Sequence, residues 1–414
     1  MNPSSTPKSR SADHVSELDG LRGVLALCVA LSHIVLWCAF AERGFGGRGM
    51  RLYHSFIYAH WAVQVFFILS GFAISYLIHS RRPSFGAFMA GRFFRIYPVY
   101  LVCIGLSFAA AIFTPFVLET AAWRATSYFH DVKVLLDHES SAPWQHFVAH
   151  LTLLNGMLPK EVLPGAAATV LVPAWSISVE WQFYLAALAI AAWVRRPVAL
   201  ICICAIGVLG ARFGAAWINP MPAFLPLVLP FFLVGIGSYH LYALFVRHGA
   251  QRSRRNAVFV GAAFGAALLL RWHTMALLVW IVAFGSLFVE RAGVMGTGLT
   301  IVRNILAHPI AQWLGRISYP LYLVHWPLLI FSLAALLKFA PEAHALQALG
   351  WLLGVGLPMM LGAAHLLHRT VEAPSMRIGK RLTQPGRSIR SIAAPVPAPV
   401  APAAVGLALG GPRD

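Results

Sequence analysis

Acidic side chains are scarce in this sequence. Only 14 Asp and Glu stand against 32 Lys and Arg in 414 residues, and charged residues of both signs make up 11%. A soluble domain carries roughly 25% charged and about 45–50% apolar residues, whereas 59% of this chain is hydrophobic. That shortage of charge excludes a string of soluble domains. The surplus of +18 lies between apolar runs instead of clustering on a soluble domain, so it reads as membrane anchoring and no nucleic-acid partner is expected. Cysteine is sparse too: Cys28, Cys38, Cys103, Cys202 and Cys204 all fall in or beside apolar runs. Without a CxxC pair, neither a zinc site nor a disulfide framework is indicated, and the lone CxC at Cys202 and Cys204 reads as helix packing. HExxH, GxSxG, a P-loop and a dinucleotide fingerprint are absent as well, and no metal is expected.

Long apolar runs take up most of the chain. They predict an all-α, polytopic transmembrane bundle of about ten helices, each near the roughly 20 residues a bilayer demands. The spans fall near 20–40, 60–79, 97–118, 176–194, 198–217, 223–246, 257–271, 273–289, 317–338 and 346–368. The seventh and eighth are short and are divided only by Arg271 and Trp272. A polar leader, 1–16, precedes the membrane unit, 17–380. No A-x-A cleavage pattern follows the first apolar run, which predicts a retained helix. The stretch 381–414, rich in Pro and Ala, reads as a disordered tail. With both termini in the cytoplasm, 23 of the 32 basic residues lie on the inner side, as the positive-inside rule requires. The longest outer loop, about 119–174, exceeds a simple turn and predicts a lid or a re-entrant segment.

Ionisable residues inside apolar runs need a reason, because a charge at the bilayer centre costs roughly 2.5–3.5 kcal/mol on insertion scales. His33 follows Arg22 by eleven residues in GLRGVLALCVALSHIVLW. That spacing is three helical turns plus about 20°, so both share a face some 16 Å apart along the axis. His33 is either packed by hydrogen bonding to a neighbouring helix or placed for chemistry. Glu180, in PAWSISVEWQFYL, is expected at a similar depth to His33, entering from the opposite side. A pair between them would fix the imidazole tautomer and strengthen it as a base. Otherwise Glu180 is an interfacial carboxylate facing water. Arg92 and Arg95, in GRFFRIYPVYL, share a face at i, i+3 and could clamp phosphates or simply anchor the helix. His325, among Tyr319, Tyr322 and Trp326 in LGRISYPLYLVHWPLL, could bind substrate or tie two helices together. Ser70, in FFILSGFAIS, has the same two readings. Asp19 reads as a helix cap or a partner of Arg22.

The blocks ELDGLRGVLALCVALSHI, FFILSGFAIS, RFFRIYPVYL, WSISVEWQFYL, GRISYPLYLVHWPLL and HRTVEAPS occur in that order. In sequence and in the ten-span layout the chain resembles the membrane acyltransferase-3 family, which includes bacterial O-antigen and other carbohydrate O-acetyltransferases, from about Glu17 to Pro374. The resemblance implies that His33, with Glu180, is catalytic, and that Arg22, Arg92 and Arg95 bind the acyl donor, acyl-CoA and most simply acetyl-CoA. It implies substrate contacts for Ser70, Tyr319 and His325, and a carbohydrate or glycoside acceptor at the outer face of a bacterial inner membrane. Some members carry a hydrolase domain after the membrane unit; this chain resembles the stand-alone ones. A transporter or flippase would also place His, Glu and Arg at depth, but it should show inverted repeats, and none is evident. A structural subunit would leave these ionisable groups unexplained.

Overall fold

A computed structural model describes residues 15–39, 58–193, 223–243, 274–288 and 293–383, with the isolated positions 202, 205 and 209. The expected span near 257–271, nearly all of that near 198–217, and the tail from 384 onward lie outside the described residues. Among the described residues twelve helices follow in chain order: α1 (Ser16–Trp37), α2 (His60–Arg81), α3 (Phe85–Ala111), α4 (Thr114–Thr120), α5 (Ser127–Ser141) and α6 (Pro143–Leu151) come first. Then come α7 (Ala174–Trp193), α8 (Leu225–Ala243), α9 (Thr274–Gly285), α10 (Gly293–Ala307), α11 (Pro309–Phe339) and α12 (Ala345–Thr383). Six of them, α1, α2, α3, α8, α11 and α12, are long and apolar enough to cross a membrane. No β-sheet occurs among the described residues.

Helix bounds shift three expectations. α3 begins at Phe85, capped by the Ser84 hydroxyl accepting from the Ala87 amide. Arg92 and Arg95 therefore sit two to three turns inside the helix, not at its start. α12 runs on past the expected end near 368, through two π-helical stretches, Leu352–Gly356 and His368–Glu372, and takes in residues 381–383 that were expected to be disordered. The expected inner loop before the ninth span forms α10, pinned to the start of α1 by Arg303, whose Nε lies 3.0 Å from Glu17 Oε1.

α1 and α11 form the centre of the bundle and run parallel. Gly23 and Gly315 meet across them so closely that a Cβ on Gly315 would strike the Asp19 backbone. Further along, His33 meets His325. A first and a ninth crossing must share a direction, and these two do. α2 and α8 cross in the same close manner, Gly71 against Phe232 and Gly235 against Ile68. The end of the bundle where α1 begins is called the near end below, and the opposite end the far end.

The expected lid or re-entrant stretch folds inward. The Tyr97 hydroxyl, near the middle of α3, donates to the Leu151 carbonyl at 2.8 Å, and Tyr100 bonds His150 at 3.2 Å. Asn155 Nδ2 then donates to the Ala166 and Ala167 carbonyls, which ties the descending and returning strands of chain together. α7 consequently starts below the far surface: Ser176, in its first turn, bonds the Tyr322 hydroxyl at 2.7 Å.

Candidate active site

A cavity of about 570 Å³ opens between α1, α2, α3, α7, α11 and α12. Drug-sized ligands occupy pockets of roughly 300–1,000 Å³. Arg22, Arg92 and Arg95 line it together with Ser70, Glu180, Tyr184 and Tyr319. Arg81, Arg316 and Lys380 line it as well, toward the near end. Five of the eight residues singled out in the sequence thus share this cavity with Tyr319, which makes six; His33 and His325 lie beyond it.

Arg22, Glu180 and Arg92 are held by their neighbours. Arg22 pairs with Asp19 one turn below, Nη1 to Oδ1 at 3.4 Å, so Asp19 is a partner of Arg22 and the N-cap is Val15. Glu180 accepts from the Ser70 hydroxyl at 3.1 Å and from the Tyr184 hydroxyl one turn along α7. The Ser70–Gly71 pair therefore ties helices together, as one of its two readings expects: the hydroxyl binds the Glu180 carboxylate on α7 while the glycine admits α8. The Arg92 guanidinium lies over the rings of Phe88 and Tyr184, 6.0 and 5.8 Å from their centroids, a geometry that favours a cation. Its Nε is buried and meets no hydrogen-bond partner among the described residues. A buried donor left open in this way costs free energy unless a ligand or water completes it. Tyr319 donates to the Ile96 carbonyl at 2.7 Å, locking α11 to α3 where the arginines emerge.

Sequence reasoning passed over two contributors. Tyr184 sits at i+4 from Glu180, a spacing that puts both on one face. Glu372, 4% exposed, lines the near end of the cavity and pairs with His368 at 2.8 Å. The i, i+4 spacing of His and Glu in HRTVEAPS was the available signal.

The expected meeting of His33 with Glu180 does not occur. Glu180 is committed to Ser70 and Tyr184, and the ring of His33 bonds His325 at 3.1 Å. The reason is the inward fold before α7. It starts that helix level with Tyr322, so Glu180 comes down one turn nearer the arginines. The cavity closes on Phe66, Ser176 and Tyr322, and the Tyr322 ring lies 6.2 Å from that of His325. Beyond the histidines, Trp326 meets His33 edge-on at 5.5 Å, and Trp37 and Phe129 pack over Trp326 and Trp37 in turn.

Far from the cavity, the inward fold buries its own polar groups. His146 bonds the Thr169 hydroxyl at 2.8 Å, and Glu139 accepts from the Val170 amide at 2.9 Å. Burial raises the Glu139 carboxyl above the usual range and lowers His146. Burial, reinforced by neighbouring His146, lowers His150 to about 3.

Acyltransferase MdmB from Streptomyces mycarofaciens is 28% identical over 391 residues, which span 88% of this chain and 92% of that protein. No solved structure matches. Residues 15–368, which hold every wall residue of the cavity but Glu372, Met376 and Lys380, match the family described as an acyltransferase domain. The chain belongs to the membrane acyltransferase-3 family and is a multi-pass membrane acyltransferase.

Proposed function

We propose that the protein transfers an acyl group, most simply acetyl, from acyl-CoA to a hydroxyl of a carbohydrate or glycoside acceptor. The observation that carries this reading is the cavity itself, with three guanidiniums converging at depth and the open Arg92 Nε among them. Arginine presents a planar fork suited to phosphate oxygens, and a CoA donor carries phosphates at one end and its thioester at the other. The near end faces the cytoplasm, where the positive-inside balance puts it and where acyl-CoA is made. The acceptor arrives from the far side, in a bacterial inner membrane.

His33 supplies the base. The acceptor oxygen attacks the thioester carbonyl as its proton passes to the ring nitrogen of His33. The carbon–sulfur bond breaks, and the proton then moves on to the CoA sulfur. The thioester reaches His33 by displacing the Phe66–Tyr322 contact, whose rings lie 5.8 Å apart. Glu180 acts on the donor side, holding Ser70 and Tyr184 in place and balancing the arginines. Base catalysis of this kind contributes about 10²–10⁴-fold.

The test is acyl transfer from labelled acetyl-CoA to surface glycans and glycosides, with His33→Ala and Glu180→Gln compared at normal membrane abundance. His33→Ala should lose about 10²–10⁴-fold in turnover. Undiminished transfer in both variants refutes the assignment. Movement of labelled solute without consumption of acetyl-CoA supports a transporter instead.

A further inference from the structure

His325 is wholly buried, outside the cavity, and bonded at both ring nitrogens. Its Nδ1 lies 3.1 Å from the Leu321 carbonyl and its Nε2 3.1 Å from His33 Nδ1. His33 Nδ1 in turn lies 3.0 Å from the Val29 carbonyl. A carbonyl only accepts, so the nitrogen facing each one carries a proton. His325 is therefore protonated at Nδ1 and presents a lone pair at Nε2. His33 is protonated at Nδ1 and shares that proton between the Val29 carbonyl and His325 Nε2. The remaining nitrogen, His33 Nε2, keeps its lone pair.

We propose that His325 is a positioning residue that, together with the Val29 carbonyl, holds the Nδ1–H of His33 and supports the charge of the ring when Nε2 takes the acceptor proton. This rests on the reading of His33 as the base. When Nε2 gains a proton, the Nδ1–H of His33 becomes a stronger donor, and the His325 lone pair is already in line to accept it. A carboxylate does the same work in hydrolytic triads, but here the partner is a neutral imidazole. The choice has a physical reason: an ionised carboxylate at this buried position would need a compensating charge, and the histidine needs none. His325 is kept neutral in its turn, because a proton on its Nε2 would point at the Nδ1–H of His33. Among the described residues His60, at the start of α2, also lies within electrostatic range of His33, and the Trp326 ring crosses that of His33 at 83° with centroids 5.5 Å apart.

The experiment compares His325→Leu with His325→Gln, whose side-chain carbonyl can accept from His33 Nδ1. Turnover, donor KM and nitrogen shifts of isotope-labelled histidine are read on protein reconstituted in bilayer discs. His325→Leu should lower turnover by about tenfold or more while donor KM stays within twofold, since the residue is off the cavity wall. His325→Gln should restore most of the loss. The histidine spectrum should show His33 as the Nδ1–H tautomer in the native protein, with its Nδ1 shift displaced in His325→Leu, where the Val29 carbonyl alone holds that proton, and returned toward the native value in His325→Gln. Equal impairment of both variants, a raised donor KM with turnover kept, or an unchanged His33 Nδ1 shift in His325→Leu overturns the proposal. The nitrogen shift needs no turnover, so it separates a failure of the pairing from a failure of the acyl-transfer reading.

Discussion

At the near end of the bundle, charged side chains line an open cavity; at the far end, neutral histidines and hydroxyls are shut inside a folded-in segment. Arg22 has Asp19, Glu180 has Ser70 and Tyr184, and Arg92 has two aromatic faces. Partners and an open cavity stand in for the water these groups lose. His146 and His150 have neutral hydroxyl partners, Thr169 and Tyr100, and burial favours their uncharged form. In the proposed reaction this difference divides the labour: the charged, open end captures the anionic donor, and the dry, neutral end protects the thioester from hydrolysis. The His33–His325 pair lies between the two.

The sharpest way to break this contrast is to remove charge from the near end. Arg95→Ala should raise donor KM by roughly 10–100-fold, since hydrogen bonds to charged groups contribute about 1.5–3 kcal/mol. Arg95→Lys should recover part of it, and steady-state kinetics at varied acyl-CoA decides. A smaller effect is expected from crowding the α1–α11 crossing that supports both regions. Gly315→Val forces a methyl-bearing carbon against the Asp19 backbone and should cost about 1–3 kcal/mol, seen as a lower thermal midpoint in detergent. If activity falls while the midpoint holds, the crossing matters to the site more than to the fold.

The smallest effect concerns the far end alone and depends on pH. His150 in the closed segment is lowered from 6.5 to about 3 by burial, with His146 adding to it. The opened segment therefore binds protons more readily between those values, and the closed form loses stability as pH falls from about 6.5 toward 3. Hydrogen-exchange protection across 143–173, taken relative to the intrinsic rate at each pH, should fall over that range, and His150→Phe should flatten the response. An unchanged pH dependence in His150→Phe would show that another group governs the segment.

Sequence patterning carried much of this. The apolar runs, the basic balance and the i, i+3 arginines follow from local chemistry and helix period. Glu372 and Tyr184 were legible in principle at i, i+4 from His368 and Glu180. The partner of His33 was not. A depth estimate for Glu180 assumed that its helix begins at the membrane surface, and the buried histidines and Asn155 that draw the preceding chain inward give no periodic signal.

The sequence by itself determined that the chain crosses a membrane many times and which side chains are too polar to lie there without purpose. Only the tertiary structure decided how those side chains pair. The depth at which a helix starts depends on how the connecting chain folds. Here the inward fold ahead of α7 moved Glu180 toward the arginines, leaving His33 to His325.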